Sequence, residues 1–375
     1  MIRKDKKSTL RFFGKTILFI NILFAGALLI SYLAPFSNPA DYWVIAFFGL
    51  AYPFLLLINF IFIIYWLFRN PKFSLLSLCV LLLGSNYILK YIGFRETTAI
   101  EVPKSSKNFL RVMTYNVHFF KPYNGKNDIA TRDQILNIIR KEQPDVICFQ
   151  EYFTRQKGDY NFNKMLKEIL KTEYSFFKSD EVNSYEAYGM ATFSKFPILK
   201  SEIIHFENTN EGNEALYSDI KYKDTVVRVY NVHLQSINFQ PEDYKYLKDV
   251  KDIDPDVKSS RRIGSRLKNA FIKRSEQAHV VKQHSLACKK PFVIAGDFND
   301  TPISYAVSTI ADGLNNTFKS KGSGLGVTYN GDFPNFQIDY ILTSKDFNVK
   351  NYLIVKKKLS DHYAVRSDLE LKKDK

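Results

Sequence analysis

Phe292-Val293-Ile294-Ala295-Gly296-Asp297-Phe298-Asn299 is the stretch that decides the fold of this chain. Its first four residues are apolar, with β-branched Val293 and Ile294 at the centre, which predicts a buried strand. The run then ends on Asp297 and Asn299, polar groups that a core accepts only when paired. Other short apolar runs behave alike. Leu110–Val117 carries Asn116 near its end, Val146–Gln150 runs into Glu151, Val226–Val232 into His233, and Ile338–Leu342 contains Asp339. Met190–Phe193 is a further run, and Asp361-His362 follow Leu359-Ser360. Helical stretches over Thr131–Glu142, Asn161–Leu170 and Arg274–Cys288 lie between them. This alternation predicts an α/β domain over 109–370, its sheets covered by helices.

Each of these polar residues taken alone reads as a loop cap or a satisfied buried group. Taken together they are chemically coherent. Oxygens of Asp, Glu and Asn suit a hard divalent cation such as Mg²⁺. Two histidines and an aspartate suit proton handling and stabilisation of a phosphoryl transition state.

In order, the motifs resemble the endonuclease/exonuclease/phosphatase superfamily of DNase I-like metal-dependent phosphodiesterases. Gly296-Asp297-Phe298-Asn299, Ser360-Asp361-His362 and Gln150-Glu151 carry the resemblance most specifically. It implies two packed mixed β-sheets with helices on both outer faces, a four-layer α/β sandwich with its active site at one sheet edge. By matching motif, Asn116 and Glu151 would bind the catalytic Mg²⁺ (or Mn²⁺), with Asp361 in or near its coordination sphere. Asp297 would orient or deprotonate the attacking water, and Asn299 would hold a phosphate oxygen. His233 would hydrogen-bond the phosphate, His362 would stabilise the developing charge, and Asp339 would fix the His362 tautomer. The implied substrate is a phosphate ester: nucleic acid, phospholipid or sugar phosphate. No obligate protein partner is expected. One departure is Gln337, where many relatives have Arg two residues before the Asp.

Tyr115-Asn116-Val117-His118 and Tyr230-Asn231-Val232-His233 repeat one another. The echo suggests two comparable halves, each delivering polar residues to a common cleft, although four residues can coincide by chance. His118 is therefore a further cleft candidate.

The 375 residues carry a net charge of +15. Residues 1–100 hold ten Lys/Arg against three Asp/Glu, so nearly half of the surplus lies there. That region has three uncharged runs: Thr16–Ala40, Tyr42–Phe68 and Phe73–Leu89. Each can cross a hydrocarbon core of about 30 Å. They predict a membrane region over 1–95 with three transmembrane helices (16–36, 42–68 and 73–92), followed by a linker over 96–108. A cleaved signal peptide fits less well, since two more apolar runs follow the first. Asn21, Pro53 and Asn59 are expected to pack between the helices. The absence of charged residues mid-span gives no support to a transporter. Six Lys/Arg precede the first span, none occupies Ala34–Asp41, and Arg69 and Lys72 follow the second. This distribution places the N-terminus in the cytoplasm and the catalytic domain outside it, as in a multi-pass protein of a bacterial inner membrane.

Three cysteines make no disulfide framework, and Cys148 reads as a core residue. His205, His279 and His284 match no motif. The segment 237–275 is acidic first, then basic (Lys258, Arg261, Arg262, Arg266, Lys268, Lys273 and Arg274). It reads either as a phosphate-gripping cluster or as a solvated loop before the helix at Arg274. Gly322–Gly326 lacks the Lys-Ser/Thr ending of a P-loop and reads as a plain loop. A catalytically silent, membrane-tethered scaffold is the alternative function. It is disfavoured by the retention of Glu151, Asp297 and His362.

Overall fold

The structure is a computed structural model and describes residues 12–95, 108–121, 128–207, 212–240, 242–243, 246, 257–331 and 334–372. The linker expected over 96–108 therefore lies outside the described residues except at Asn108, as does most of the acidic part of 237–275.

The N-terminal region is helical. Helix α1 spans Phe12–Ser31 and α2 spans Pro39–Arg69. Both are long and apolar enough to cross a membrane. The third expected span differs in form. It is a pair, α3 (Pro71–Leu83) and α4 (Ser85–Tyr91), bent by 64°. The break falls at Gly84, whose missing side chain is replaced by the ring of Tyr32. The helices are pinned by a buried polar chain: Trp66 Nε1 donates to Asn21 Oδ1 (3.0 Å), Asn21 Nδ2 to Ser77 Oγ (2.6 Å) and Ser77 Oγ to Asn59 Oδ1 (2.9 Å). An apolar surround gives such bonds no competing water. Pro53 instead lines a groove on α2.

The rest forms two six-stranded sheets face to face. In chain order the strands are β1 (Ile92–Phe94), β2 (Leu110–Asn116), β3 (Val146–Arg155), β4 (Tyr174–Val182), β5 (Glu186–Ser194), β6 (Ile198–Ile204), β7 (Ala215–Tyr222), β8 (Thr225–His233), β9 (Phe292–Asp297), β10 (Asn315–Asn316), β11 (Ser323–Leu325), β12 (Asp339–Thr343), β13 (Phe347–Val355) and β14 (Ala364–Leu371). One sheet runs β13-β14-β2-β3-β5-β4 and the other β10-β12-β9-β8-β7-β6. Only β2/β3 and β8/β9 are parallel among these pairs; a helix bridges each, α5 (Ile129–Glu142) and α7 (Val257–Leu286) respectively. The Tyr-Asn-Val-His echo thus falls on the two strands that open the two parallel units.

Strand alternation sorts the core into layers. Val112, Cys148, Val229, Val293, Ala295 and Ile341 meet between the sheets. Met113, Tyr115 and Phe149 pack outward on α5 and on α6 (Phe162–Leu170). Tyr230, Val232 and Ile294 pack outward on α7 and on α8 (Tyr305–Ala311). The result is the expected four-layer sandwich. Behind the first sheet, Arg111 Nε meets Asp368 Oδ1 at 2.6 Å and Arg366 Nε meets Glu142 Oε2 at 2.5 Å, all of them buried.

Two local expectations are corrected. Gly322–Gly326 is more than a loop: β11 pairs antiparallel with β1, and Gly326 N donates to Tyr91 O at 3.0 Å, joining the last membrane helix to the domain. The helix expected from Arg274 begins at Val257, so the basic stretch is helical rather than a mobile loop. Its charges are largely engaged. Arg262 and Arg266 pair with buried Asp243 at 2.6 and 3.0 Å, Arg274 pairs with Asp300 at 3.3 Å, and Lys268 lies 4.7 Å from the Trp43 ring centroid on α2.

Candidate active site

The layer that fills the space between the sheets changes from apolar to polar at one end. Along β2, Leu110, Val112, Thr114 and Asn116 share a face by period two; along β9, Val293, Ala295 and Asp297 do the same; along β8, Val229, Asn231 and His233. Ladder register then sets His233 beside Asp297, and Asp297 beside Asp339 at the start of β12. Close packing demands glycine next to them: a Cβ on Gly296 would lie 1.9 Å from Val232 O. Glu151 reaches the same place by a different device. The β3/β5 register shifts between Phe149 and Tyr152, and Glu151 takes φ +49°. Such a bulge re-aims a side chain that regular alternation would send elsewhere. Asn299 and His118 also adopt positive φ (53° and 43°), so three site residues hold backbone strain.

Asp361 and His362 come from the turn before β14. Ser360 Oγ fastens that turn by donating to Asn116 O at 2.9 Å, while Asn330 N donates to Asp361 O at 2.7 Å. All eight sequence-predicted residues thereby meet around one cleft.

The cleft has two halves. In one, Asn116 Nδ2 donates to Glu151 Oε1 and to Asp297 Oδ2, both at 3.1 Å. His118 Nδ1 lies 3.3 Å from Glu151 Oε2 and 3.8 Å from Asp361 Oδ1, so the two carboxylates converge. Burial works to raise the pKa of Glu151, yet the His118 hydrogen bond and the charges of His233 and His118 hold it down at about 2. Burial, with Glu151 repelling, pushes Asp361 up. Two converging, half-buried carboxylates beside an amide form a hard-oxygen set, and their mutual repulsion is what a divalent cation relieves. The residues therefore fit such a cation, with Asn116, Glu151 and Asp361 as the candidate ligands.

In the other half, His233 Nε2 and His362 Nε2 approach one oxygen, Asp297 Oδ2, at 3.7 and 3.6 Å. Asp297 Oδ1 accepts from Asn299 N at 2.8 Å. His233 Nδ1 is bonded to Gly212 O at 2.7 Å and His362 Nδ1 to Asp339 Oδ2 at 3.0 Å, so each ring turns Nε2 into the cleft. Burial lowers the pKa of His362, but the Asp339 and Asp297 carboxylates outweigh it and lift the imidazole well above its ordinary value. Burial pushes Asp297 up. Asp297, Asp339 and His362 also bring ligand-type atoms within 4.8 Å of one another. Since His362 Nδ1 is spent on Asp339, we read that triple as a hydrogen-bonded Asp339–His362 pair facing Asp297. Asn299 lines the cleft, and its Nδ2 donates to Leu234 O at 3.0 Å. Its side chain braces the turn.

Of the basic cluster that the sequence offered as a phosphate grip, Arg274 is the member the structure brings to the cleft. It is 1% exposed, lines the cleft beside Asp300, and its Nη2 is buried without a hydrogen-bond partner. Sequence reasoning missed the apolar wall of the cleft: Leu50, Phe239, Phe271 and Phe336. Of these, only Phe336 lies beside a motif, next to Gln337-Ile338-Asp339. His279 and His284 bond to Tyr305 and Tyr230 on the second sheet's helical side, outside the cleft.

Two packed mixed sheets, helices outside and a carboxylate–histidine cleft at the strand ends define a DNase I-like phosphoester hydrolase fold. The chain belongs to the Endonuclease/Exonuclease/phosphatase family, which residues 113–362 match. Members of that family hydrolyse phosphoester bonds and generally depend on a divalent metal. Residues 14–91 match a separate family described only as a domain of unknown function. Among curated proteins, the chain is 23% identical over 314 residues to the CCR4-Not complex 3'-5'-exoribonuclease subunit Ccr4 of Emericella nidulans. That alignment covers 65% of this chain and 45% of the relative, so the chain spans less than half of the relative's length. Among solved structures, an endonuclease/exonuclease/phosphatase from Beutenbergia cavernae superposes with a TM-score of 0.52 at 20% identity, over 71% of this chain and 72% of that one. Another from Bacteroides vulgatus gives 0.52 at 19% identity, over 71% of this chain and all (100%) of that one. These likenesses establish the fold.

Proposed function

We propose that this chain is a membrane-anchored, divalent-cation-dependent phosphoesterase that hydrolyses its substrate by in-line attack of water. The observation that carries this is the approach of two histidine Nε2 atoms to one buried Asp297 oxygen, with Asp339 behind one of them. Asp297 is the base: Asn116 and the Asn299 N–H fix its plane, and its raised pKa suits proton abstraction from water. His362, kept protonated by Asp339, donates to the phosphoryl oxygen where charge grows, and His233 turns its Nε2 toward the same phosphate. Arg274 offers its unpartnered Nη2 to the same phosphate. Mg²⁺ or Mn²⁺ bound by Asn116, Glu151 and Asp361 would supply charge neutralisation.

Anchoring is supported by α1, α2 and the bent α3–α4 pair. The lysine and arginine distribution supports a cytoplasmic N-terminus and a catalytic domain on the outer side of a bacterial inner membrane. Protease treatment of intact spheroplasts tests the topology; full protection of the domain overturns it. The activity is tested with detergent-purified full-length protein and Mg²⁺ or Mn²⁺ on bis-p-nitrophenyl phosphate, DNA, RNA, sugar phosphates and phospholipid. Cation-dependent turnover lost in Asp297→Asn is expected. Absence of turnover on every substrate, or equal rates in the variant, overturns the assignment.

A further inference from the structure

The membrane region forms part of the wall of the catalytic cleft. The cleft, a cavity of about 290 Å³, is bounded on one side by Leu50 of α2. The same helix lays Phe47 against Phe271 of α7 (5.3 Å between ring centroids) and Phe54 against Phe336 (6.2 Å). At Pro334 and Phe336 the cleft meets a second space of about 670 Å³. That space is a groove with Phe54, Leu57 and Phe60 of α2 on one side and Leu325 and Val327 of the domain on the other.

Helix length fixes the groove's depth. The 31 residues of α2 at 1.5 Å each run about 46 Å, against a hydrocarbon core of about 30 Å. Arg69 and Lys72 mark the far interface, so counting back about 20 residues places the near hydrocarbon boundary close to Leu50. Trp43 and Phe47 then stand above that boundary, packed on α7, whereas Phe54, Leu57 and Phe60 lie within the hydrocarbon layer. All three are about half exposed. The groove thus faces the lipid side, and at its inner end Pro334 and Phe336 are shared with the lining of the catalytic cleft.

From this shared wall we infer that the substrate is drawn from the bilayer: a phosphate ester bearing a long hydrocarbon chain, the chain lying between α2 and the residues Leu325, Val327, Pro334 and Phe336 and the phosphate entering the cleft. The inference rests on the phosphoesterase reading and adds its substrate class. Charge agrees with it. The phosphate end of the path holds Arg274 and the histidines, and the groove is lined without a charged side chain. Gln337 is part of that neutral lining. A nucleic acid would instead have to lay polar backbone across Leu325 and Phe54.

The test uses full-length protein in nanodiscs, with dioleoyl phosphatidylglycerol and farnesyl phosphate as chain-bearing substrates and bis-p-nitrophenyl phosphate and oligonucleotides as chain-free ones. The readout is the ratio of kcat/KM for chain-bearing over chain-free esters, in which a general loss of activity cancels. We expect wild type to favour at least one chain-bearing substrate by 100-fold or more, and Leu57→Trp, which fills the groove without adding charge, to lower that ratio at least tenfold. The two chain-bearing arms show whether the source is a diacyl lipid or a prenyl phosphate. In parallel, phosphatidylglycerol with a chain-terminal diazirine should label residues 325–337 in wild type and fail to do so in Leu57→Trp. A wild-type ratio near one, an oligonucleotide preference, or absence of labelling at 325–337 overturns the inference. Labelling without hydrolysis of any ester overturns the phosphoesterase reading and leaves the lipid groove standing.

Discussion

Replacing Asp339 by Asn tests the Asp339–His362 pair more sharply than removing any cleft group outright. Asp339 is fully buried and accepts from His362 Nδ1 with both oxygens, at 3.2 and 3.0 Å. Nδ1 therefore carries a proton, and Nε2 can donate to a phosphoryl oxygen only if the ring is an imidazolium. Two carboxylates, Asp339 and Asp297, keep it so against the effect of burial. The amide preserves the shape and one acceptor but removes the nearer charge. The His362 pKa then falls toward the ordinary value of about 6.5. At pH 8 the variant's ring is neutral, Nε2 is bare, and one transition-state donor is lost. That loss costs about 2.7–4 kcal/mol, or about 10²–10³ in kcat. At pH 6 most of the rings regain the proton, so the deficit shrinks to about tenfold or less. The measurement is kcat of variant over wild type at each pH from 5.5 to 8.5, with Asp297 titrating lower in the variant because it loses the repulsion of Asp339. A deficit independent of pH, or larger at pH 6 than at pH 8, would refute the imidazolium argument.

Glu151→Gln should abolish Mg²⁺ binding in titration calorimetry of the full-length protein, because it removes one of two converging carboxylates. Arg274→Lys should raise KM about tenfold with a smaller change in kcat, since a point charge keeps the Asp300 pair but cannot present Nη2; equal KM values would remove Arg274 from the phosphate site. Gly296→Ala should fail to fold or lose more than about 3 kcal/mol in chemical denaturation, because its Cβ would meet Val232 O. Asp368→Ala should lower stability by about 3–5 kcal/mol, as it leaves buried Arg111 and Arg366 short of a carboxylate.

Which parts of this architecture can be read from sequence follows from how far each signal reaches. Asp297, His233 and Asn116 end strands whose apolar alternation is local, so period two alone aims them between the sheets. Glu151 breaks that rule through a bulge, and only the motif resemblance places it. His118 sits in a backbone strained to positive φ, which no propensity predicts. Arg274 lies among other basic residues on one helix, and nothing local distinguishes it from Arg262 or Arg266, which turn to Asp243. Its role depends on Asp300, 26 positions away. The bend at Gly84 is set by the Tyr32 ring from another helix, so an apolar run of the right length read as one straight span.

The joint between α2 and the cleft was hidden for a related reason. Hydropathy scores lipid-facing and protein-facing apolar residues alike, and Trp43 to Phe60 contains both. What separates them is length: 27 uncharged residues from Tyr42 to Phe68 exceed what a bilayer needs. In a bilayer the surplus has to tilt, thicken the membrane or leave it, and the structure sets Trp43 and Phe47 of α2 against α7. A helix that only tethered the domain would gain nothing from this extra length or from the aromatic contacts at Phe47 and Phe54. A helix that also forms one bank of a lipid path needs both, because the cleft must be held at a fixed height above the hydrocarbon for a phosphate to reach Asp297 while its chain stays in the bilayer.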